Sequence, residues 1–256
     1  MNDSFPRPDS ALAIIAHPDD AEFQCGATLA KWAAGGTVVH HLVCTDGSKG
    51  TWDPQADQVA LVATRKAEQM AAARRMDSKG SIIFLDQVDG ELQSDLTMRS
   101  EVARVIRQLR PQVVLGHDPW RRYRLHPDHR HAGLLAVEGI VAARDPFFFP
   151  EHGLEPHRPH ALLLFEAEEP DHAEDVKGWE SAKAAALLEH RSQFETTHGI
   201  QNPDDLDQIK DFENRIRADL QRYGNLYGLE SAELFKAILD LGEIGHPGLL
   251  GQRHEK

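Results

Sequence analysis

Ala16-His17-Pro18-Asp19-Asp20 puts one imidazole and two adjacent carboxylates directly after the apolar run Leu12-Ala13-Ile14-Ile15. His17 and Asp20 stand three apart, so both can reach one divalent cation. Asp19 between them is then the candidate general base, because a carboxylate beside a metal can take a proton from water and return it to a leaving group. An Asp capping the next helix would explain one of these residues. It would not explain the whole set, and Pro18 restricts the loop in a way that fixes ligand directions. Much later, His126-Pro127-Asp128-His129 opens a second helical stretch. Two imidazoles three apart can approach one point; if only one binds metal, the other is free to donate to a developing oxyanion. Asp128 could orient an imidazole. Alone, this tetrad reads as a helix start with Pro127 at its first position, but paired with the first cluster it reads as the closure of one metal site.

Other candidates carry weaker signals. Arg65 lies in a helix rich in Ala, Lys, Arg and Glu, and Arg121, Arg122 and Arg124 flank Trp120 and Tyr123 just before the second cluster. Arg65, Tyr123 and Arg124 are the candidate substrate contacts, for an anionic substrate or for sugar hydroxyls; ion pairing within an acidic chain is the equal alternative. Gly47-Ser48-Lys49-Gly50-Thr51 lacks the spacing of a phosphate-binding P-loop, and no GxGxxG is present, which removes a dinucleotide-dependent oxidoreductase. His40, His41 and His131 receive no role.

Positioning these residues falls to an alternation of strands and helices. Strands are predicted over 11–16, 37–44, 81–85, 112–115 and 160–165, with helices over 22–34, 59–76, 95–109 and 129–143. The strands are short and nearly all apolar, as a doubly covered parallel sheet requires. The fold class is α/β, a Rossmann-like and mainly parallel sheet with helices on both faces. In such sheets ligands bind beyond the carboxyl ends of the strands. The loops after strands one to four all open there, which is the reason to join both clusters into one site. Further helices over 181–197, 204–223 and 231–241 predict a helical C-terminal cap. Residues 144–159, with four prolines and three consecutive Phe, read as a structured loop, and 245–256 as a loosely ordered tail.

The chain has 256 residues, and a single domain is expected over 1–256, with its core over about 11–240. Its net charge of −13 argues against nucleic acid and against anionic membranes as partners. No apolar stretch approaches the length of a membrane span. Two cysteines outside any CxxC pattern fit a reducing cytoplasm.

These motifs resemble the PIG-L/LmbE-like family of zinc-dependent N-deacetylases. The family's AHPDDE is matched by Ala16 to Asp20, with the final acidic residue displaced by one, to Glu22; its HPDH is matched in full by His126 to His129. Thr45-Asp46-Gly47, the pair Arg65 and Glu68, Asp89-Gly90 and the stretch Ala186-Leu187-Leu188-Glu189-His190-Arg191-Ser192-Gln193 extend the resemblance over about 11–240. It implies a Rossmann-like fold, with His17, Asp20 and His129 as ligands of one zinc ion per chain and ferrous iron as the alternative. It implies Asp19 as general base and His126 as oxyanion stabiliser or acid, backed by Asp128.

The expected protein is a metal-dependent amidohydrolase that removes an acyl group, foremost acetyl, from a small-molecule N-acyl amino sugar or conjugate. A homo-oligomer is compatible with the sequence. The alternatives are a metal-dependent amidase of a thiol conjugate and a non-catalytic metal- or sugar-binding protein, which would have no use for a free carboxylate at Asp19.

Overall fold

A computed structural model of the chain describes residues 5–239 and Leu241. The expected tail over 245–256 lies outside the described residues. Among the described residues, seven strands form one sheet in the order β3-β2-β1-β4-β5-β7-β6. β1 (Ser10–Ile15), β2 (Val38–Thr45), β3 (Ile82–Gln87), β4 (Val113–His117) and β5 (Ala161–Phe165) run parallel. β7 (Ala232–Leu239) pairs antiparallel with β5 and with β6 (His172–Asp175).

Alternate strand residues feed two cores. Ala11, Ala13, Ile15, Leu115 and Leu163 pack on one face with Leu29 and Trp32 of α1 (Asp20–Ala34) and with Ala72 of α2 (Gln58–Arg75). Leu12, Ile14, Val114, Leu162 and Leu164 pack on the other with Val105 and Ile106 of α3 (Leu96–Leu109) and with Leu135 and Ile140 of α4 (Pro127–Arg144). Continuous burial of β1, β4 and β5 on both faces is why those strands read as unbroken apolar runs. A third cluster joins Ala27 of α1 to Leu187 of α5 (Glu180–Leu187) and to Phe212 and Leu220 of α6 (Leu206–Leu226).

The helical C-terminal part is therefore an outer layer on α1. It holds two of the three helices expected there. Within 231–241, expected as a helix, Ala232–Leu239 form β7 instead: their side chains alternate poorly for a strand, but antiparallel pairing on both sides decides the conformation. β6 was not anticipated. The loop over 144–159 has one short 3₁₀ turn, Pro150–His152, and is held by the buried Arg107, which donates to the carbonyls of Ala143, Asp145, Phe148 and Phe149. Among the described residues, no helix is long and apolar enough to cross a membrane.

Candidate active site

β1 ends at Ile15 and α1 begins at Asp20, so residues 16–19 make a very tight connection at the carboxyl edge of the sheet. Asp20 closes it by accepting the His17 backbone N–H on Oδ2 at 2.7 Å. Asp19 adopts a left-handed conformation, φ 98°, which a non-glycine residue keeps only when its surroundings hold it. They do: its N–H donates to Gln69 at 2.9 Å and its Oδ2 accepts from Arg65 at 3.2 Å. Gln69 in turn donates to Glu22 at 2.7 Å, and Glu22 and Gln69 are fully buried.

α4 carries the second cluster to the same place. Gly133 lets it cross the end of β4, since a Cβ there would stand 2.5 Å from the His117 carbonyl oxygen. His129 on its first turn then reaches Asp20, with Nε2 3.3 Å from Oδ1. His17 Nδ1 lies 3.4 Å from Asp20 Oδ2. The rings of His17, His126 and His129 stand 4.6 to 5.3 Å apart, centroid to centroid.

Asp128 stands elsewhere than expected. It is fully buried and accepts the N–H groups of Gly90 and Leu92, at 2.6 and 3.2 Å. The imidazole it meets is that of His17, at 3.1 Å from Nε2, rather than that of His126. Spacing along a helix could not say which ring it would face, because the loop after β3 decides its direction. Arg65, a candidate substrate contact, is 3 % exposed, and besides Asp19 it donates to the carbonyls of Gly47 and Pro18. Arg124 pairs with Glu166 at 2.9 Å and abuts His129 Nδ1, so it lies behind a candidate ligand. Tyr123 is 92 % exposed, with φ 59°.

Three residues of the site were not singled out as functional. His117 ends β4, with Nε2 3.3 Å from Asp20 Oδ2 and Nδ1 3.0 Å from Glu166. Glu166 follows β5 and also lies 3.4 Å from His129 Nδ1. Asp89, in the turn after β3, lies 3.2 Å from His17 Nε2 and 4.0 Å from His126 Nε2. The signal available for all three was their place at the carboxyl end of a strand.

The electrostatics follow from this crowding. Burial alone would lower the His17 imidazole, but Asp128, Asp20 and Asp89 around it raise it well above its ordinary value. Burial opposes ionisation of Asp20, yet His129 and His117 hold it well below the usual carboxylate range. Burial pushes Asp19 up to about 6 against the pull of Arg65. His126, near the surface, is lowered by partial burial and by His17.

The donors fit a divalent cation. Imidazole nitrogens with carboxylate oxygens are the ligand set of zinc and of non-haem iron. His17, His126 and His129 bring ligand atoms within 4.8 Å of one another, as do Asp20, His117 and His129. Asp20 links the two groups.

Residues 12–140 match the family described as PIG-L, GlcNAc-PI de-N-acetylase. The chain is 34 % identical over 236 residues to the diacetylchitobiose deacetylase of Thermococcus kodakarensis, covering 91 % of this chain and 84 % of that one. It is 32 % identical over 171 residues to the 1D-myo-inositol 2-acetamido-2-deoxy-alpha-D-glucopyranoside deacetylase of Streptomyces avermitilis, over 57 % of this chain and 58 % of that one. Among solved structures, the N,N'-diacetylchitobiose deacetylase from Pyrococcus horikoshii superposes with a TM-score of 0.81 at 29 % identity, over 94 % of this chain and 87 % of that one.

Proposed function

Because this chain belongs to the PIG-L family of GlcNAc-PI de-N-acetylases, we propose that it is a zinc-dependent hydrolase that removes the acetyl group from a small N-acetyl amino sugar or conjugate. It is an N-deacetylase, cleaving the amide C–N bond. In our reading His17, Asp20 and His129 hold one zinc ion per chain, with ferrous iron as the alternative. When bound, the cation supplies Lewis acidity toward the acyl carbonyl oxygen and toward water.

The chain's own residues do the rest. Asp19 accepts the proton of the attacking water, while Arg65 anchors its carboxylate at one oxygen. The water oxygen bonds to the carbonyl carbon, and the imidazole of His126 donates a hydrogen bond to the oxygen on which negative charge develops. The C–N bond then breaks. Asp19 hands its proton to the departing nitrogen, and acetate and the free amine leave. Asp128 acts through His17, fixing that ring from behind.

One observation carries this reading. Asp20 touches an imidazole from each motif, His17 at 3.4 Å and His129 at 3.3 Å, with the Asp19 carboxylate adjoining. The amino-sugar substrate is favoured by the substrates for which the two relatives are named. We place the enzyme in the cytoplasm as one domain, its buried Cys25 and Cys44 remaining thiols.

The test loads purified protein with zinc or ferrous iron and measures free amine released from N-acetylglucosamine, its disaccharide and its inositol conjugate. Release is expected from at least one. Asp19→Asn should keep the metal and lose about a hundredfold or more in kcat. Metal-loaded protein that releases no amine, or a fully active Asp19→Asn, would sink the proposal.

A further inference from the structure

Behind Asp19 runs a buried polar chain whose far end the reaction derived above does not use. Gln69 on α2 accepts the Asp19 N–H at 2.9 Å and donates to Glu22 Oε1 on α1 at 2.7 Å. Glu22 Oε2 faces Nε2 of His190, a residue just past the end of α5, at 3.5 Å. Gln69, Glu22 and His190 are all fully buried. Among the described residues, Glu22 Oε2 and both ring nitrogens of His190 have no hydrogen-bond partner. Polar groups so short of partners are costly to bury, and an apolar pair of the same shape would fill the space more cheaply.

The direction of the chain is set at its His190 end. A carboxylate only accepts, so the imidazole nitrogen that faces it carries the hydrogen. The same property turns the Gln69 amide nitrogen toward Glu22 and leaves its carbonyl oxygen for the Asp19 N–H. A reversed amide would set N–H against N–H, and Asp19 would lose a contact that keeps φ at 98°. Burial would lower the His190 imidazole, but Glu22 beside it raises it above its ordinary value. His190 is firmly placed by the residues that follow it. Ser192 donates its N–H and its hydroxyl to Glu68 on α2 at 2.8 and 2.6 Å, and Gln193 donates to the Gly50 carbonyl at 3.0 Å.

We propose that His190 is a positioning residue for the base, acting through Glu22 and Gln69 on the backbone of Asp19. The inference rests on the reading of Asp19 as the base. His190 lies beyond residues 12–140, which carry the family match. The outer helical layer thus reaches the site from behind, and by hydrogen-bond polarity rather than by packing alone.

The test replaces His190 by Leu, which fills the space without a donor, and by Gln, which keeps one. Each variant is loaded with zinc, alone and combined with Gln69→Met, and assayed on the acetylated sugar that wild type turns over fastest. His190→Leu should lower kcat on the order of tenfold, with KM and metal content unchanged. His190→Gln should recover most of that loss. On top of Gln69→Met, His190→Leu should lower kcat by less than about twofold more, because the path runs through Gln69. Unchanged kcat in His190→Leu, or the full tenfold loss on top of Gln69→Met, overturns the proposal. Hydrogen exchange of the Asp19 amide is read alongside, against the Leu12 amide of β1. His190→Leu should speed Asp19 on the order of tenfold relative to Leu12, and His190→Gln should restore it; an equal change at both amides overturns the proposal. If wild type releases amine from no sugar, the deacetylase reading fails, and exchange alone then decides the positioning. Should His190→Leu fail to fold, nitrogen-15 spectra of wild type decide: a hydrogen on His190 Nε2 supports the proposal, and a bare Nε2 overturns it.

Discussion

Replacing Gln69 by Met isolates what holds the candidate base in place. Met has nearly the length and volume of Gln, so no cavity opens; only the hydrogen bonds disappear. Gln69 is fully buried and makes two such bonds, accepting the Asp19 N–H at 2.9 Å and donating to Glu22 at 2.7 Å. The first links neutral groups and contributes about 1 kcal/mol; the second ends on a carboxylate and contributes about 2 kcal/mol. Glu22 suffers further, because its other oxygen meets only His190, at 3.5 Å, and has no hydrogen bond of its own. The expected destabilisation is about 3 kcal/mol. With a urea slope of about 3 kcal/mol per molar, the midpoint should fall by about 1 M. Asp19 also loses one of the two contacts that keep its backbone at φ 98°. Its carboxylate, still tied to Arg65, should drift by a fraction of an ångström, lowering kcat ten- to a hundredfold, on the order of other such misplacements. Metal content should stay at the wild-type level. A midpoint within about 0.3 M of wild type, together with unchanged kcat, would show that Gln69 fills space and nothing more.

Elemental analysis of His17→Ala, Asp20→Ala and His129→Ala should show most of the metal lost. His117→Ala should retain it, because that ring is committed to the Ala16 N–H and to Glu166. Full occupancy in the first three would end the ligand assignment. A separate expectation concerns acid stability. His198 lies among the rings of Phe23, Phe194 and Phe212, and burial pulls its imidazole down to about 4, aided by His190 and Arg215. Above the unfolded value near 6.5 both states are neutral and stability is complete; as pH falls from about 6.5 toward about 4, the unfolded chain binds a proton that the fold refuses. The cost should approach about 3 kcal/mol. Urea denaturation at about pH 7 and about pH 4.5 should therefore show His198→Gln losing less stability than wild type between the two, and parallel losses would refute the argument.

The sheet was legible because its inner strands are doubly buried, and burial of that kind leaves an apolar run that no other element explains so well. The site was legible because two short motifs each concentrate several chemical groups. What stayed hidden has a common cause. β7 contains Leu234, Phe235, Ala237 and Ile238 at helical spacing, and only its two neighbours, far away in sequence, make it a strand. His117 and Glu166 are single residues at strand ends, and nothing beside them in the chain marks them; Asp89 was marked only as part of the Asp89-Gly90 match, which carried no role. The partner of Asp128 depends on backbone N–H groups donated by the loop after β3, an interaction without any sequence spacing.

The place of β7 also constrains the order in which the molecule can assemble. Among the described strands β6 pairs with β7 alone, although it precedes it by more than fifty residues, and β7 is what joins it to β5. On the ribosome, the five parallel strands and both halves of the catalytic cluster emerge while the outer edge of β5 is still bare. An uncovered edge of that length is a template for pairing with another chain. A nascent chain stalled or cut before residue 232 would thus carry the complete chemistry on a sheet primed to aggregate. β7 is thus a closing piece, which seals the edge of β5 against neighbouring chains.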